Sequence, residues 1–435
     1  MADRRGGLIL MPDAGAVRRF FVWIHRWAGL IMAMFLIVVG LTGSLLAFNA
    51  ELERLISPQL YAQPRPDTAP LDLATLAERA EALVAPSARI AGLSRFGTDQ
   101  VVAAVSPRSD PATQKPYEIS FDQLFLDPYA GTELGRRMNG DLSQGLINLM
   151  PFIYDLHWRL ALGTAGFWIL GLLAVAWTID CFIGFYLTLP RTTSGFWRRW
   201  MPAWLIKRKA GAFRLNFDLH RAGGLWLWPM LFIFAWSSVM MDMRPVYEWV
   251  TSALFNYRSP LPEPHMVTTP NLGWRDAEGK GARLIEEQAA LKGFRVEREE
   301  SLFYNEQFGV YFLSFRSSLD VGERSGATYV ALDGDTGQLR ALELPSGERS
   351  GNTITSWLYA LHMANVFGLP YRIFVCVLGL LIVMLSVTGV YIWWKKRRAR
   401  QFSRTPRGRL TCPEAAETLS RFGDGGRDAP GPNSA

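Results

Sequence analysis

Four apolar blocks, at 27–48, 160–189, 225–241 and 373–394, constrain this chain more than any other feature. A bilayer core of roughly 30 Å is crossed by about 20 helical residues, and three of the blocks reach that length. The block at 225–241 is the shortest, but Asn216 to Leu219 and Asp242 to Pro245 let it span with some snorkelling. The expected fold class is therefore membrane α-helical, with transmembrane helices over 21–48, 156–189, 216–243 and 358–396.

Charge sets the expected topology. The formal net charge of +7 is confined to particular loops, which points to membrane orientation and away from nucleic-acid binding. Residues 190–215 hold seven basic side chains and no acidic one, the last block is followed by Lys395, Lys396, Arg397 and Arg398, and Arg4, Arg5, Arg18 and Arg19 precede the first. Segments 1–20, 190–215 and 397–435 are expected to be cytoplasmic, and the Arg-, Pro-, Gly- and Ser-rich tail to be disordered. The connections 49–155 and 244–357 are acid-rich and are expected outside, in the periplasm of a bacterial inner membrane. A cleaved signal peptide competes for the N-terminus, but cleavage after Phe48 would discard His25.

The two outer connections share one grammar. After a helical extension at 49–61 and the breaker Pro64 and Pro66, residues 71–84 show helical spacing, and 90–96, 101–105 and 117–126 have strand character. The second connection gives a helix at 281–291 and strands at 294–299, 310–316 and 327–332. Turns at Asp127-Pro128-Tyr129-Ala130-Gly131 and Asp333-Gly334-Asp335-Thr336-Gly337 close the two runs. Two small α+β outer domains are expected.

Histidines carry the same duplication. His25 and His220 are each followed by Arg (Arg26, Arg221), by Gly at +4 and by Leu at +5. His157 and His362 are each preceded by Leu and followed by Gly at +6, Gly at +27 (Gly184, Gly389) and Tyr at +29. The unit is one helix going out, one outer domain and one helix returning, so the four transmembrane helices form a twofold repeat about an axis along the membrane normal.

This pattern of apolar helix, helix-strand-strand-strand module, Leu-Asp-x-x-x-Gly turn (Leu126 to Gly131, Leu332 to Gly337) and Leu-His entry resembles the PepSY-associated transmembrane proteins. That family includes inner-membrane ferric-siderophore reductases and other iron-regulated membrane proteins. The resemblance spans about residues 18–398 and implies PepSY-like periplasmic domains, b-type haem in the membrane and reduction of an iron complex.

An ionisable side chain at a membrane helix is a functional candidate by default. On this topology His25 and His220 form a cytoplasmic tier, and His157 and His362, at the outer ends of the second and fourth helices, form a periplasmic one. In an up-down bundle each pair lies on a diagonal, leaving room for two non-covalent haem b groups with bis-His axial ligation. Interfacial histidines hydrogen-bonded to backbone are the plain alternative. Two separate two-His metal sites would need carboxylates such as Asp155 or Asp218. Arg26 and Arg221 are expected either to meet haem propionates or simply to anchor the cytoplasmic face. Asp180, where the repeat has Leu385, is a propionate neighbour, proton acceptor, quinol contact or snorkelling residue. His265, in a Pro-rich loop, is expected at the surface.

Cys181, Cys376 and Cys412 offer no CxxC pair, which disfavours sulfur chemistry and covalent haem attachment. No nucleotide-binding fingerprint is present, so a separate cytoplasmic or quinol electron donor is required. The expected function is a di-haem b reductase delivering electrons to a periplasmic ferric siderophore or other chelate. A non-redox membrane anchor for a peptide or protein, and a quinol-linked carrier serving another periplasmic acceptor, remain alternatives.

Overall fold

A computed structural model describes residues 14–65 and 67–404. The elements before the first long return are α1 (Ala14–Leu46), α2 (Asn49–Ile56), α3 (Leu73–Val84), β1 (Ala88–Phe96), β2 (Gln100–Pro107), β3 (Gln123–Leu126), β4 (Glu133–Arg137), α4 (Leu149–Arg159) and α5 (Gly163–Thr188). A short helix α6 (Phe196–Trp200) leads to α7 (Gly211–Asp242). Then follow α8 (Arg244–Leu254), α9 (Trp274–Lys292), β5 (Val296–Asn305), β6 (Val310–Ser317), β7 (Thr328–Asp333), β8 (Leu339–Glu343), α10 (Ser350–His362) and α11 (Gly368–Arg404).

Helices α1, α5, α7 and α11 are long and apolar enough to cross a membrane. Their main contacts run round a ring, α1 on α5 and α11, and α7 on the same two. Helix α1 thus stands opposite α7, and α5 opposite α11, as an up-down connection requires.

The strands form one antiparallel sheet in the order β4-β3-β2-β1-β5-β6-β7-β8. Period-2 burial explains the packing: Val101, Ala103 and Val105 on β2 turn inward, while Val102 and Ala104 between them are only half-buried. Leu73, Leu76, Ala77 and Ala80 of α3 and Ala277, Ile285 and Ala289 of α9 cover the same face, joined by Leu93, Leu124, Leu302, Leu313 and Leu332. Each fully buried Leu contributes about 1.5–3 kcal/mol relative to exposure. The Glu278 carboxylate of α9 accepts the Leu73 (2.8 Å) and Ala74 (3.2 Å) amides at the start of α3, tying the two helices together.

Two expectations are corrected here. The outer connections do not make two separate domains, because β1 pairs with β5 through Gly92 and Phe303, Leu93 and Leu302, and Ser94 and Ser301. Each module alone would leave that strand as an unpaired edge, and the pairing removes both edges at once. Nor do the second and fourth apolar helices carry His157 and His362 at their outer ends. The backbone breaks after each His: Leu160, Ala161 and Gly163 take positive φ of 57°, 52° and 57°, and Ala364, Phe367 and Gly368 take 48°, 57° and 61°. Left-handed residues end an α-helix, so both ligand candidates sit on the separate helices α4 and α10.

Smaller differences have local causes. Strands β4 and β8 follow the two Asp turns and were not expected, since Glu133, Arg136 and Arg137 break the apolar pattern. The strand expected at 117–126 shortens to Gln123–Leu126. Helix α8 was also unforeseen, and α11 runs to Arg404, so the expected disordered tail begins no earlier than 405, outside the described residues.

Candidate functional site

The ring arrangement brings His25 of α1 to His220 of α7, with ring centroids 6.1 Å apart. At the sheet-side end it brings His157 of α4 to His362 of α10, centroids 6.4 Å apart. The partners are those expected from the sequence, but His157 and His362 meet from α4 and α10 and not from the diagonal helices α5 and α11. Two metal–imidazole bonds of about 2 Å each, plus the two ring radii, separate centroids by about 6 Å.

Each ring is held from behind. The Nδ1 of His25 lies 2.9 and 3.0 Å from the Asp180 carboxylate oxygens on α5. His220 Nδ1 lies 2.9 Å from the Leu385 carbonyl and 3.3 Å from Thr388 Oγ1 on α11. Thr42 Oγ1 on α1 stands 3.0 Å from His157 Nδ1, and Ser237 Oγ on α7 stands 2.7 Å from His362 Nδ1.

Two of these partners fix the direction of the bond. A carboxylate and a carbonyl only accept, so His25 and His220 donate from Nδ1. The Thr42 hydroxyl donates to the Val38 carbonyl (2.8 Å), and the Ser237 hydroxyl to the Phe234 carbonyl (3.0 Å). Each hydroxyl is thereby placed to accept from its histidine's Nδ1, or to donate to it in the other tautomer. At His25 and His220 this puts Nδ1 in the donor role and turns Nε2 away from the backing group, the arrangement that metal-binding histidines adopt.

Glycines make room for the rings. A Cβ on Gly43 would stand 2.9 Å from His157 Cε1, one on Gly389 3.1 Å from His220 Cε1, and one on Gly184 3.6 Å from His25 Cε1. Beside the outer pair lies a cavity of about 330 Å³, lined by Gly40, Gly43, Phe167 and Phe234 together with His157 and His362. Its lining is mostly apolar. About 26 Å of helix, seventeen residues at 1.5 Å each, separates His25 from Thr42 and His220 from Ser237.

The other candidates fall into place around this frame. Asp155 is paired with Arg159 by an ion pair, and Asp218 is held by Arg214 (2.9 Å) and Arg221 (2.8 Å). Among the described residues no group of three or more His, Cys, Asp or Glu could hold a metal ion. Arg221 also donates to the Pro202 carbonyl (2.6 Å). Arg26 is half-buried beside His25 and makes no hydrogen bond or ion pair with the described residues. His265 is exposed, as expected. Thr42, Gly43, Ser237 and the Leu385 carbonyl were missed. One signal was available: a hydroxyl residue stands seventeen positions after both His25 and His220.

No curated protein matches the sequence. The family model for the PepSY-associated TM region matches residues 22–396, which include all four facing histidines and the whole sheet. The chain belongs to the PepSY-associated transmembrane family.

Proposed function

We propose that this chain is an inner-membrane di-haem b reductase. It carries electrons from a separate cytoplasmic or quinol donor to a periplasmic ferric chelate, of which a siderophore is the representative case. The observation that carries this reading is the set of two facing imidazole pairs, 6.1 and 6.4 Å between centroids, with every Nδ1 engaged from behind. Haem b held between each pair would supply one-electron oxidation and reduction at its iron.

The residues of the chain do the rest. Asp180, the Leu385 carbonyl, Thr42 and Ser237 fix the four rings with Nε2 presented inward. Gly43, Gly184 and Gly389 keep the ring faces clear, and Arg26 is free to meet a propionate. We read the two halves as a twofold repeat, with the sheet formed by two PepSY-like modules on the periplasmic side and both termini cytoplasmic, on the strength of the basic segment 190–215. Reduction to Fe(II) would release the metal, because the softer ion is held poorly by hard oxygen ligands.

Proteoliposomes test this. A reductant enclosed on the His25 side should reduce an impermeant ferric chelate on the sheet side, and His362→Ala should abolish it. A two-haem protein that leaves the chelate ferric contradicts the reductase reading and favours a different acceptor. A colourless protein would favour the anchor reading.

A further inference from the structure

Of the five groups that hold the Nδ1 atoms, only one is a carboxylate. Asp180 serves His25, whereas the Leu385 carbonyl and the Thr388 hydroxyl serve His220 and hydroxyls serve His157 and His362. At the position matching Asp180 the other half of the chain has Leu385, which offers its backbone oxygen alone. Asp180 is 9% exposed and faces the His25 imidazole, and among the described residues no Lys or Arg pairs with it. By contrast the fully buried Asp218 is neutralised by Arg214 and Arg221.

We infer that Asp180 is a positioning residue that makes the two histidine pairs electronically unequal. It sets the His25/His220 pair at a lower reduction potential than the His157/His362 pair. This rests on the haem reading above. A carboxylate behind an imidazole raises its basicity as a ligand. A stronger donor and an uncompensated negative charge in a poorly screened site both favour the more positive, oxidised metal. The hydroxyls at the outer pair carry dipoles and no charge. Electrons entering at the inner pair therefore run downhill toward the sheet side, and the direction of transfer follows from the single carboxylate among the groups that back the four imidazoles.

Optical redox titration of the purified, haem-loaded full chain tests the inference. The wild type should titrate in two one-electron waves, and His362→Ala, which keeps only the inner pair, should retain the lower. Asp180→Asn, whose amide oxygen can still accept from Nδ1, should raise the lower wave in the chains that retain both haems, and Asp180→Glu should restore it. An unmoved lower wave in Asp180→Asn with both haems present overturns the assignment. So does a lone His362→Ala wave at the upper potential, which decides the matter even if Asp180→Asn loses a haem. A wild-type chain without haem overturns the proposed function and this assignment together, whereas equal potentials in a two-haem chain overturn the assignment alone.

Discussion

Gly40 on α1 and Gly379 on α11 meet backbone to backbone: a Cβ on Gly40 would stand 2.8 Å from the Gly379 carbonyl oxygen. Ser44 reinforces the crossing by donating to the Gly40 and Cys376 carbonyls, both at 2.8 Å. Small residues let membrane helices approach where lipid offers no hydrophobic drive. Gly379→Leu should force the helices apart and cost about 1–3 kcal/mol. Thermal unfolding in detergent reads this, with Gly224→Ala as control because nothing lies within 4 Å of a Cβ there. Equal melting of Gly379→Leu and wild type would show that the crossing does not stabilise the bundle.

Gly43 tests the outer pair without touching a histidine. The added methyl of Gly43→Ala would press on His157 Cε1 at 2.9 Å, so the ring must swing away. Haem content should fall toward one per chain while the fold survives. Gly29→Ala, in the same helix with open space around it, should keep the wild-type content.

Thr42→Val and Ser237→Ala each remove the hydroxyl partner of an Nδ1 while leaving the imidazole in place. Loss of such a partner typically costs 10–100-fold in affinity for the bound metal group. Haem transfer to an excess of an apo-haem scavenger should be faster by that order in either variant. Unchanged transfer would mean that packing, and not the hydroxyls, orients the rings.

The spans and the histidine echo were legible because both depend on spacing alone. The apolar blocks give the helices, and duplicated offsets give the pairs. Other features depended on contacts that spacing does not encode. Nothing about Leu160, Ala161, Ala364 or Phe367 advertises left-handed backbone, so the breaks that detach His157 and His362 from the long helices were invisible. The joining of β1 to β5 depends on two edges finding each other across some two hundred residues. Asp180 was flagged as the departure from the repeat, but its partner His25 lies on another helix and only folding revealed it.

The seam of the sheet should respond to pH. Burial, and then the neighbouring Glu278 carboxylate, push Glu299 on β5 up to about 8, and its buried Oε1 has no hydrogen-bond partner among the described residues. Between the ordinary carboxyl range and that value the folded state holds a proton that the unfolded chain has released. Stability is therefore greatest below this window and falls as pH rises through it. Thermal unfolding from pH 5 to 9 should show the decline, and Glu299→Gln should flatten it. A slope that survives the substitution would place its origin elsewhere.

Haem content per chain tests the central claim most directly. Pyridine haemochrome assay of the purified protein should find about two haem b per chain, with His220→Ala and His362→Ala each removing one and leaving the other. The separation of the tiers along α1 and α7 is what makes the two losses independent. A protein without haem, or one in which either single substitution removes both haems from a folded chain or removes neither, would contradict the assignment of His25 with His220 and His157 with His362.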